Sequence, residues 1–220
     1  MIVSGEGDYS ISRKRMVAEQ LMARGIRDEA ILRAMLKIPR HFFVDQGMAT
    51  MAYSDHPLSI GQYQTISQPY IVAYMLEALE ITKNHRVLEV GTGSGYQTAL
   101  LADLVGHVYS IERLPGLILK ARKVLRQLAY KNITLKLGDG TEGWPQQAPF
   151  HAIVVSAASP SVPHPYLDQL VEGGRMVVPV GDEHSQELTL ITKNKGRINE
   201  RILSGCRFVK LKGKYGFQAS

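Results

Sequence analysis

The hydrophobic positions of the first 40 residues follow a helical period. Val17, Leu21 and Met22 lie at helical spacing, and Gly25 is expected to end this segment. Asp28 is suited to cap a second helix, which must stop before the proline at position 39. The pattern therefore predicts two helices at the start of the chain.

Residues 41–67 show no regular hydrophobic period. They mix aromatic, glycine, proline and polar residues, so we expect a long and partly ordered loop. A further helix is predicted to begin at Pro69, because proline suits the first helical turn, and to run through Ile81. Ser67 is the candidate cap of that helix.

Strand and helix patterns alternate from residue 86 onward. The predicted strands are 86–90, 107–112, 133–137, 152–156, 175–180, 187–193 and 202–211, and the predicted helices are 95–105, 115–129 and 165–171. Residues 138–149 are expected to form a loop and 194–199 a polar turn. This order predicts an α/β fold with a doubly wound, mostly parallel sheet. The last two strands lack a crossover helix, so they are predicted to form an antiparallel pair.

Composition is that of an ordinary globular protein, with 45% hydrophobic and 21% charged residues among 220, which excludes a disordered chain. The single cysteine, Cys206, excludes an intrachain disulfide framework and a cysteine-based zinc site. The seven histidines show no paired ligand spacing, so no metal is expected. Apolar runs are too short for a membrane span, and the first ten residues are polar. A cytoplasmic protein is expected.

The net charge of +6 is concentrated in the C-terminal segment. Residues 193–220 hold eight basic residues and one acidic residue, whereas the rest of the chain is nearly neutral. One interpretation is a site for an anionic partner, such as a carboxylate or nucleic acid. The other is a solvated strand pair with edge lysines. The alternation of Lys210 and Lys212 with apolar neighbours favours the second interpretation.

The sharpest motif is the segment 87–96, Val-Leu-Glu-Val-Gly-Thr-Gly-Ser-Gly-Tyr, which joins a predicted strand to a predicted helix. Gly91, Gly93 and Gly95 allow a tight turn and the close approach of a ligand. Glu112 follows at the end of the next strand, where an acid can accept hydrogen bonds from both ribose hydroxyls of a nucleoside. The motif therefore predicts a nucleoside-containing cofactor.

The spacing does not fit a dinucleotide, because the G-x-G-x-x-G fingerprint would require glycine where Tyr96 stands. With Glu89 two residues before the first glycine, the segment resembles motif I of class I S-adenosylmethionine-dependent methyltransferases. The resemblance implies a Rossmann-like fold in which the loop wraps the methionine part of the cofactor. It also implies that the segment 138–140, Gly-Asp-Gly, meets the adenine.

The segment 59–69, Ser-Ile-Gly-Gln-Tyr-Gln-Thr-Ile-Ser-Gln-Pro, resembles the signature of protein-L-isoaspartate (D-aspartate) O-methyltransferases. Further resemblances lie at 39–45, 87–101, 148–150, 173–175, 178–181 and 207–209, so the similarity runs from about residue 14 to 217. The chain has no internal repeat, linker or low-complexity stretch, so a single domain, 1–220, is expected, in which an N-terminal helical and acceptor-loop extension, 1–81, precedes a cofactor-binding core, 82–220.

The resemblance implies methyl transfer from S-adenosylmethionine to the α-carboxylate of L-isoaspartyl residues in damaged proteins, D-aspartyl residues being an open alternative. The ester closes to a succinimide, which starts protein repair, and S-adenosyl-L-homocysteine is the other product. The implied partners are isoaspartyl-containing proteins and peptides, without nucleic acid, membrane or metal. A carboxylate of pKa about 3.5 is already a nucleophile at neutral pH, so no general base is required.

The resemblance also implies roles for individual residues. Ser67 is the implied catalytic residue, because its hydroxyl can orient the acceptor carboxylate. The implied cofactor-binding residues are Gln64, Thr65, Ile66, Ser67, Glu89, Gly91, Gly93, Gly95, Glu112, Asp139 and Gly140. The implied substrate-binding residues are Ile60, Gly61, Thr65 and Val209.

Three positions depart from the family pattern. Tyr63 stands where many members carry glycine, which predicts a bulkier acceptor loop. His151 replaces a common aspartate and is interpreted as a surface change. Lys210 replaces a common proline near the expected substrate edge, where its cation could attract the acceptor carboxylate or remain solvated.

Other functions explain less of the sequence. A nucleic-acid amino-methyltransferase often carries an (Asp/Asn)-Pro-Pro-Tyr-like motif where this chain has Ser-Ala-Ala-Ser-Pro at 156–160, and a small-molecule acceptor is a further alternative. A non-catalytic binding module using the basic C-terminal segment leaves the block 64–69 unexplained. A nicotinamide oxidoreductase disagrees with the glycine spacing.

Overall fold

The computed structural model describes residues 6–218, so residues 1–5 of the polar N-terminal end and the last two residues of the predicted 1–220 domain lie outside it. Helix α1, Glu6–Arg15, continues through a π-helical turn, Met16–Leu21, and a 3₁₀ turn, Met22–Arg24. Gly25 ends this run in a left-handed conformation, with φ of +100°, as predicted.

Helix α2, Glu29–Lys37, begins at the predicted cap. The carboxylate of Asp28 accepts hydrogen bonds from the backbone N–H groups of Ala30 and Ile31 at 2.8 and 3.0 Å. These bonds satisfy two of the N–H groups that a helix start leaves unpaired. The prediction of two N-terminal helices is therefore confirmed.

The segment predicted as an irregular loop contains more structure than expected. It forms two 3₁₀ turns, Arg40–Phe43 and Gln46–Met51, and an antiparallel hairpin of β1, Leu58–Gly61, and β2, Gln64–Ile66. The hairpin buries Leu58, Ile60 and Ile66 in the core. Strands of three and four residues are too short to show an alternating period, which is why the loop prediction was wrong here.

Helix α3, Pro69–Ala78, starts at the predicted proline, but Gln68 and not Ser67 occupies the N-cap position. The prediction that Ser67 caps this helix is therefore wrong. The helix also ends before Ile81, because Glu80 adopts a left-handed φ of +48° that interrupts the helical backbone.

Seven strands form the main sheet in the order β5-β4-β3-β6-β7-β8-β9. The strands are β3, Arg86–Val90; β4, His107–Glu112; β5, Ile133–Leu137; β6, Phe150–Val155; β7, Leu170–Gly181; β8, Gln186–Asn194; and β9, Arg197–Cys206. The helices between them are α4, Tyr96–Leu104; α5, Pro115–Gln127; and α6, His164–Gln169. The pairs from β5 to β7 are parallel, whereas β8 is antiparallel to both neighbours, which confirms the predicted fold class.

The last strand lies earlier in the sequence than predicted. It covers Arg197–Cys206 and follows a tight turn at Lys195 and Gly196, both with positive φ. Lys210 and Lys212 therefore do not lie on an edge strand, which corrects that interpretation of the basic segment. Their alternation with apolar residues arises because this segment runs beside Ala158, in backbone bridges that bury Leu211.

Both faces of the sheet are covered. Val87 and Ala152 pack into the cluster that includes α2, α3 and α4, whereas Leu88 and Ile153 point to the opposite cluster. This alternation on neighbouring strands is expected of a parallel sheet with helices on both faces. Within residues 6–218, the helices are too short or too polar to cross a membrane.

Candidate active site

The glycine-rich loop leaves β3 where the strand order reverses, since β4 lies on one side of β3 and β6 on the other. Ligands of open α/β sheets bind outside the carboxyl ends of the strands at this point. Gly91 and Gly95 adopt left-handed φ values of +93° and +89°. A Cβ atom at Gly95 would lie 3.1 Å from that of Ala121, so glycine also allows the loop to pack against α5.

A cavity of about 530 Å³ opens beside this loop. Its walls come from the β1–β2 hairpin, the glycine loop, the start of α5, the segment after β6 and residues 209–212. The structure brings together in its lining nine of the predicted site residues: Gln64, Thr65, Ile66, Ser67, Gly91, Gly93, Glu112, Gly140 and Val209. It leaves five outside that lining: Ile60, Gly61, Glu89, Gly95 and Asp139.

Ser67 lies between β2 and α3, half-buried in the cavity wall. Its carbonyl accepts a 2.7 Å hydrogen bond from Nη2 of Arg40, whose Nε donates to the carbonyl of Ala52 at 2.7 Å. The guanidinium of Arg40 is completely buried over the ring of Tyr96. Burial lowers the pKa of Arg40 to about 10, so it remains a cation at neutral pH.

The sequence reasoning missed Arg40. A signal was present, because an arginine stands among proline and aromatic residues in the segment 39–45. Arginine is rarely buried without a partner, and here Nε and Nη2 bond to backbone carbonyls in the middle and at the end of the irregular segment, whereas Nη1 has no hydrogen-bond partner among the residues that the structure describes. Arg40 therefore ties the wall that carries Ser67 to the preceding turn.

Glu112 ends β4 and is almost fully buried at the cavity edge. One carboxylate oxygen accepts a hydrogen bond from the N–H of Gly93 at 2.8 Å, and the other accepts from the N–H of Leu114 at 2.9 Å. An ionised carboxylate has further lone pairs after these two bonds. Glu112 can therefore accept hydrogen bonds from hydroxyl groups of a ligand in the cavity.

Glu89 lies beneath the glycine loop and is completely buried. Its carboxylate accepts hydrogen bonds from the hydroxyls of Thr98 and Ser110 at 2.5 and 2.6 Å and from the amide of Gln97 at 3.1 Å. Burial raises the pKa of Glu89 to about 7, although these hydrogen bonds oppose the rise. Gln97 lines the cavity and also donates to Ser156, so it links Glu89 to the cavity wall.

Asp139 holds the C-terminal segment rather than facing the cavity. One oxygen accepts from the N–H and hydroxyl of Thr141, at 2.8 and 2.7 Å, and the other accepts from the N–H of Lys214 at 2.9 Å. Burial acts to raise the pKa of Asp139, but these hydrogen bonds outweigh it and the pKa is lowered. The adjacent Gly140 does line the cavity, at the start of a 3₁₀ turn, Gly140–Glu142.

Of the four predicted substrate-binding residues, two line the cavity and two lie outside its lining. Thr65 and Val209 line the cavity. Ile60 instead packs under the glycine loop, where its side chain comes within 3.6 Å of the space that a Cβ of Gly93 would take. The structure also adds lining residues that the sequence reasoning missed, of which Arg113, Leu114, Leu117 and Lys212 are examples. The first three follow the carboxyl end of β4, and that position is the signal that could have identified them.

The thiol of Cys206 is not suited to act as a nucleophile in this protein. Burial raises the pKa of Cys206 to about 11, so its thiol is almost entirely protonated at neutral pH and a poor nucleophile. His, Cys, Asp and Glu side chains are not grouped as a metal site anywhere in the described range, 6–218.

Comparison with known proteins gives a consistent result. The family model described as Protein-L-isoaspartate(D-aspartate) O-methyltransferase matches residues 12–216. The chain is 53% identical over 211 residues to Protein-L-isoaspartate O-methyltransferase 1 of Syntrophobacter fumaroxidans, covering 96% of this chain and 99% of the relative. It is also 53% identical over 206 residues to the Protein-L-isoaspartate O-methyltransferase of Methanoculleus marisnigri, covering 94% of each chain.

Solved structures agree with these relatives. A protein-L-isoaspartate O-methyltransferase structure matches with a TM-score of 0.86 and 30% identity, covering 93% of this chain and 67% of that one. A Plasmodium falciparum protein described by the same activity, solved in complex with S-adenosyl-L-homocysteine, matches with a TM-score of 0.78 and 26% identity. That alignment covers 91% of this chain and 98% of the other.

Proposed function

Because the chain belongs to the protein-L-isoaspartate (D-aspartate) O-methyltransferase family, we propose that its cavity binds S-adenosylmethionine and an isoaspartyl carboxylate side by side. The enzyme transfers a methyl group from S-adenosylmethionine to the α-carboxylate of L-isoaspartyl residues and so starts protein repair. The position of the cavity at the strand-order reversal, with Ser67 and Glu112 both in its lining, is the observation that carries the residue assignments.

The lining fits S-adenosylmethionine, which supplies a methyl group on a sulfonium cation when bound. Glu112 offers carboxylate oxygens for the ribose hydroxyls, next to the backbone of Gly93. Gly91, Gly93 and Gly140 line the cavity. We assign the first two to the methionine part, which the glycine backbone lets approach closely, and Gly140 to the adenine. Glu89 supports this loop from below through Gln97 and Thr98.

The acceptor carboxylate needs orientation rather than deprotonation. It is ionised at neutral pH, so its oxygen can attack the methyl group without a general base. We assign Ser67 to orient it, because the hydroxyl can donate a hydrogen bond to one oxygen and leave the other free to react. Ile66, Val72 and Leu114 give the lining apolar surface. A bound substrate that displaces water from such surface gains a stronger attraction between carboxylate and sulfonium.

Radiolabelled methyl transfer tests the acceptor assignment. Two peptides would differ only in carrying L-isoaspartate or normal aspartate, and base-labile label is expected on the isoaspartyl peptide alone. A third peptide with D-aspartate would decide whether that residue is also methylated. Label on neither peptide, with S-adenosylmethionine still bound, would contradict the assigned acceptor.

The group that accepts the methyl is the isoaspartyl residue, and this group can occur in many different proteins. We therefore propose isoaspartyl-containing proteins and peptides in general as partners, rather than one specific protein. The cytoplasmic location expected from the sequence stays a prediction, and cell fractionation followed by detection of the enzyme would test it.

A further inference from the structure

Tyr63 stands at the tip of the β1–β2 hairpin in a backbone conformation that tyrosine rarely adopts. Gln62 and Tyr63 have φ values of +53° and +57° and form a two-residue turn in which both central residues are left-handed. Turns of this kind favour glycine, asparagine and aspartate, because other side chains meet the backbone. A bulky residue in such a conformation indicates that something other than local preference keeps it there.

The Tyr63 side chain gains no packing from the rest of the chain. It is 100% exposed, and no hydrogen bond or ring contact to it is found within residues 6–218. Gln62 differs, because its side-chain amide, although exposed, occupies the space beside Gly116 at the start of α5. Gln62 therefore has a neighbour on α5, whereas the Tyr63 side chain has no role in the folded chain alone.

The position of Tyr63 indicates what it could contact. It lies at the rim of the cavity, whose lining also includes Arg113, Lys210 and Lys212, and Lys210 forms an ion pair with Glu183. Glu112 is the one carboxylate among the residues that line this cavity in the described part of the chain, and both of its oxygens already accept backbone hydrogen bonds. Arg113 and Lys212 carry charges that no ion pair between residues 6 and 218 balances, so the lining suits an anionic group, and a peptide carrying that group would pass the tip of the hairpin.

We propose that Tyr63 determines acceptor specificity by packing against the side chain that adjoins the isoaspartyl residue, and that it favours a bulky apolar or aromatic side chain there. This inference rests on the proposed function, since it assigns an occupant to the rim of the same cavity. A tyrosine ring can bury a large apolar area while its hydroxyl stays in water. It also has few rotatable bonds, so ordering it on binding costs little conformational entropy.

The test compares two L-isoaspartyl peptides that differ only in the neighbouring residue, phenylalanine or glycine. The wild type is expected to methylate the phenylalanine peptide with the higher kcat/KM. The Tyr63→Gly variant should reduce the ratio of the two kcat/KM values by about 3- to 10-fold, mainly through KM, as expected for loss of one aromatic contact. Tyr63→Phe should keep the wild-type ratio, because it keeps the ring.

Ala129→Gly is the matched control. Ala129 also has a left-handed φ, of +59°, and is exposed after α5, outside the cavity lining. Both glycine variants relieve the same kind of backbone conformation, so both should keep the wild-type melting temperature or exceed it. Only Tyr63→Gly should change the peptide ratio.

The outcomes separate this inference from the proposed function. Methylation of both peptides with a ratio that Tyr63→Gly leaves unchanged would overturn the specificity role alone. An equal change of the ratio in Ala129→Gly would also overturn it, because the effect would then come from backbone relief. Methylation of neither peptide by the wild type would overturn the proposed acceptor, and the role of Tyr63 with it.

Discussion

Ser67 and Glu112 reach the same cavity from different parts of the chain, one from the end of the hairpin and the other from the end of β4. The hydroxyl of one suits a carboxylate acceptor, and the carboxylate of the other suits cofactor hydroxyls. Substitutions at these two positions should therefore affect different steps. Binding and transfer can be measured separately for each.

Ser67→Ala should slow methyl transfer by up to about 100-fold while the affinity for S-adenosyl-L-homocysteine stays close to wild type, because orientation of the acceptor is lost. Calorimetric titration would give the affinity and single-turnover label transfer the rate. Ser59→Ala is the control, since Ser59 lies on the same hairpin outside the cavity lining. Equal losses of binding and transfer in Ser67→Ala would indicate a structural role instead.

Glu112→Ala should weaken binding of S-adenosyl-L-homocysteine first, by about 10- to 100-fold, because a hydrogen bond to a charged group contributes about 1.5–3 kcal/mol. Its KM for an isoaspartyl peptide should change less. Glu142→Ala provides the comparison, since this exposed glutamate pairs with Lys214 outside the lining. An unchanged affinity in Glu112→Ala would remove Glu112 from the ribose role.

The raised pKa of Glu89 should make the free energy of unfolding depend on pH. Its pKa of about 7 in the folded protein lies above the ordinary carboxyl value, so the folded state holds the proton more tightly. The stabilisation is fully present below the unfolded pKa and is lost as the pH rises through about 7. Urea unfolding should therefore show stability falling between pH 5 and 8, by an amount on the order of 3 kcal/mol.

Glu89→Gln should flatten this dependence, because the amide has no proton to lose. Exposed Glu187 serves as the comparison, and Glu187→Gln should keep the wild-type slope. If Glu89→Gln retains the full slope between pH 5 and 8, another titrating group is responsible.

At the scale of elements, capping and burial decide where helices and strands begin. Helix α2 depends on Asp28, whose two hydrogen bonds pair N–H groups at its first turn. The short β1–β2 hairpin depends instead on burial of its apolar side chains. The Asp28 cap is a local interaction that the sequence predicts, whereas burial of the hairpin requires the rest of the core.

Asp28→Ala should lower the free energy of unfolding by about 1 kcal/mol, since it removes the cap. Chemical denaturation would measure the change. Asp45→Ala is the matched control: Asp45 precedes a 3₁₀ turn without capping it and forms an exposed ion pair with Lys120, which contributes little. A smaller loss in Asp28→Ala than in the control would contradict the capping role.

At the scale of the whole molecule, the N-terminal helices and the sheet share one hydrophobic cluster. Leu21 and Met35 belong to the same cluster as Val87 and Leu188 of the main sheet. Arg40 adds a polar connection between the N-terminal segment and the cavity wall. Because of this continuity, we propose that the predicted extension, 1–81, and core, 82–220, unfold as one domain.

Thermal unfolding should accordingly be one cooperative transition. The fluorescence of Trp144, the single tryptophan, reports the α/β core, while far-ultraviolet circular dichroism reports all helices. The two midpoints should coincide, and S-adenosyl-L-homocysteine should raise both together. Two separate transitions would show that the extension and the core are independent units.

The sequence by itself determined the parts of this protein that depend on local pattern. Strands β3, β4 and β5 begin and end at the predicted residues, because an apolar run between glycine, proline and polar residues specifies a buried strand. The glycine loop and Glu112 at the end of the next strand were sufficient to predict a cofactor site at the carboxyl ends of the strands. The family resemblance then supplied the acceptor and the role expected of Ser67.

Only the tertiary structure decided which of these residues share a cavity. Glu89 and Asp139 support the cavity from outside its lining, because their carboxylates accept hydrogen bonds from Ser110 and Lys214. The hairpin forms because a core assembled from remote residues covers its apolar face. Arg40 reaches the carbonyl of Ser67 across 27 residues of sequence. Contacts between residues far apart in the chain depend on the packed fold, and no local pattern encodes them.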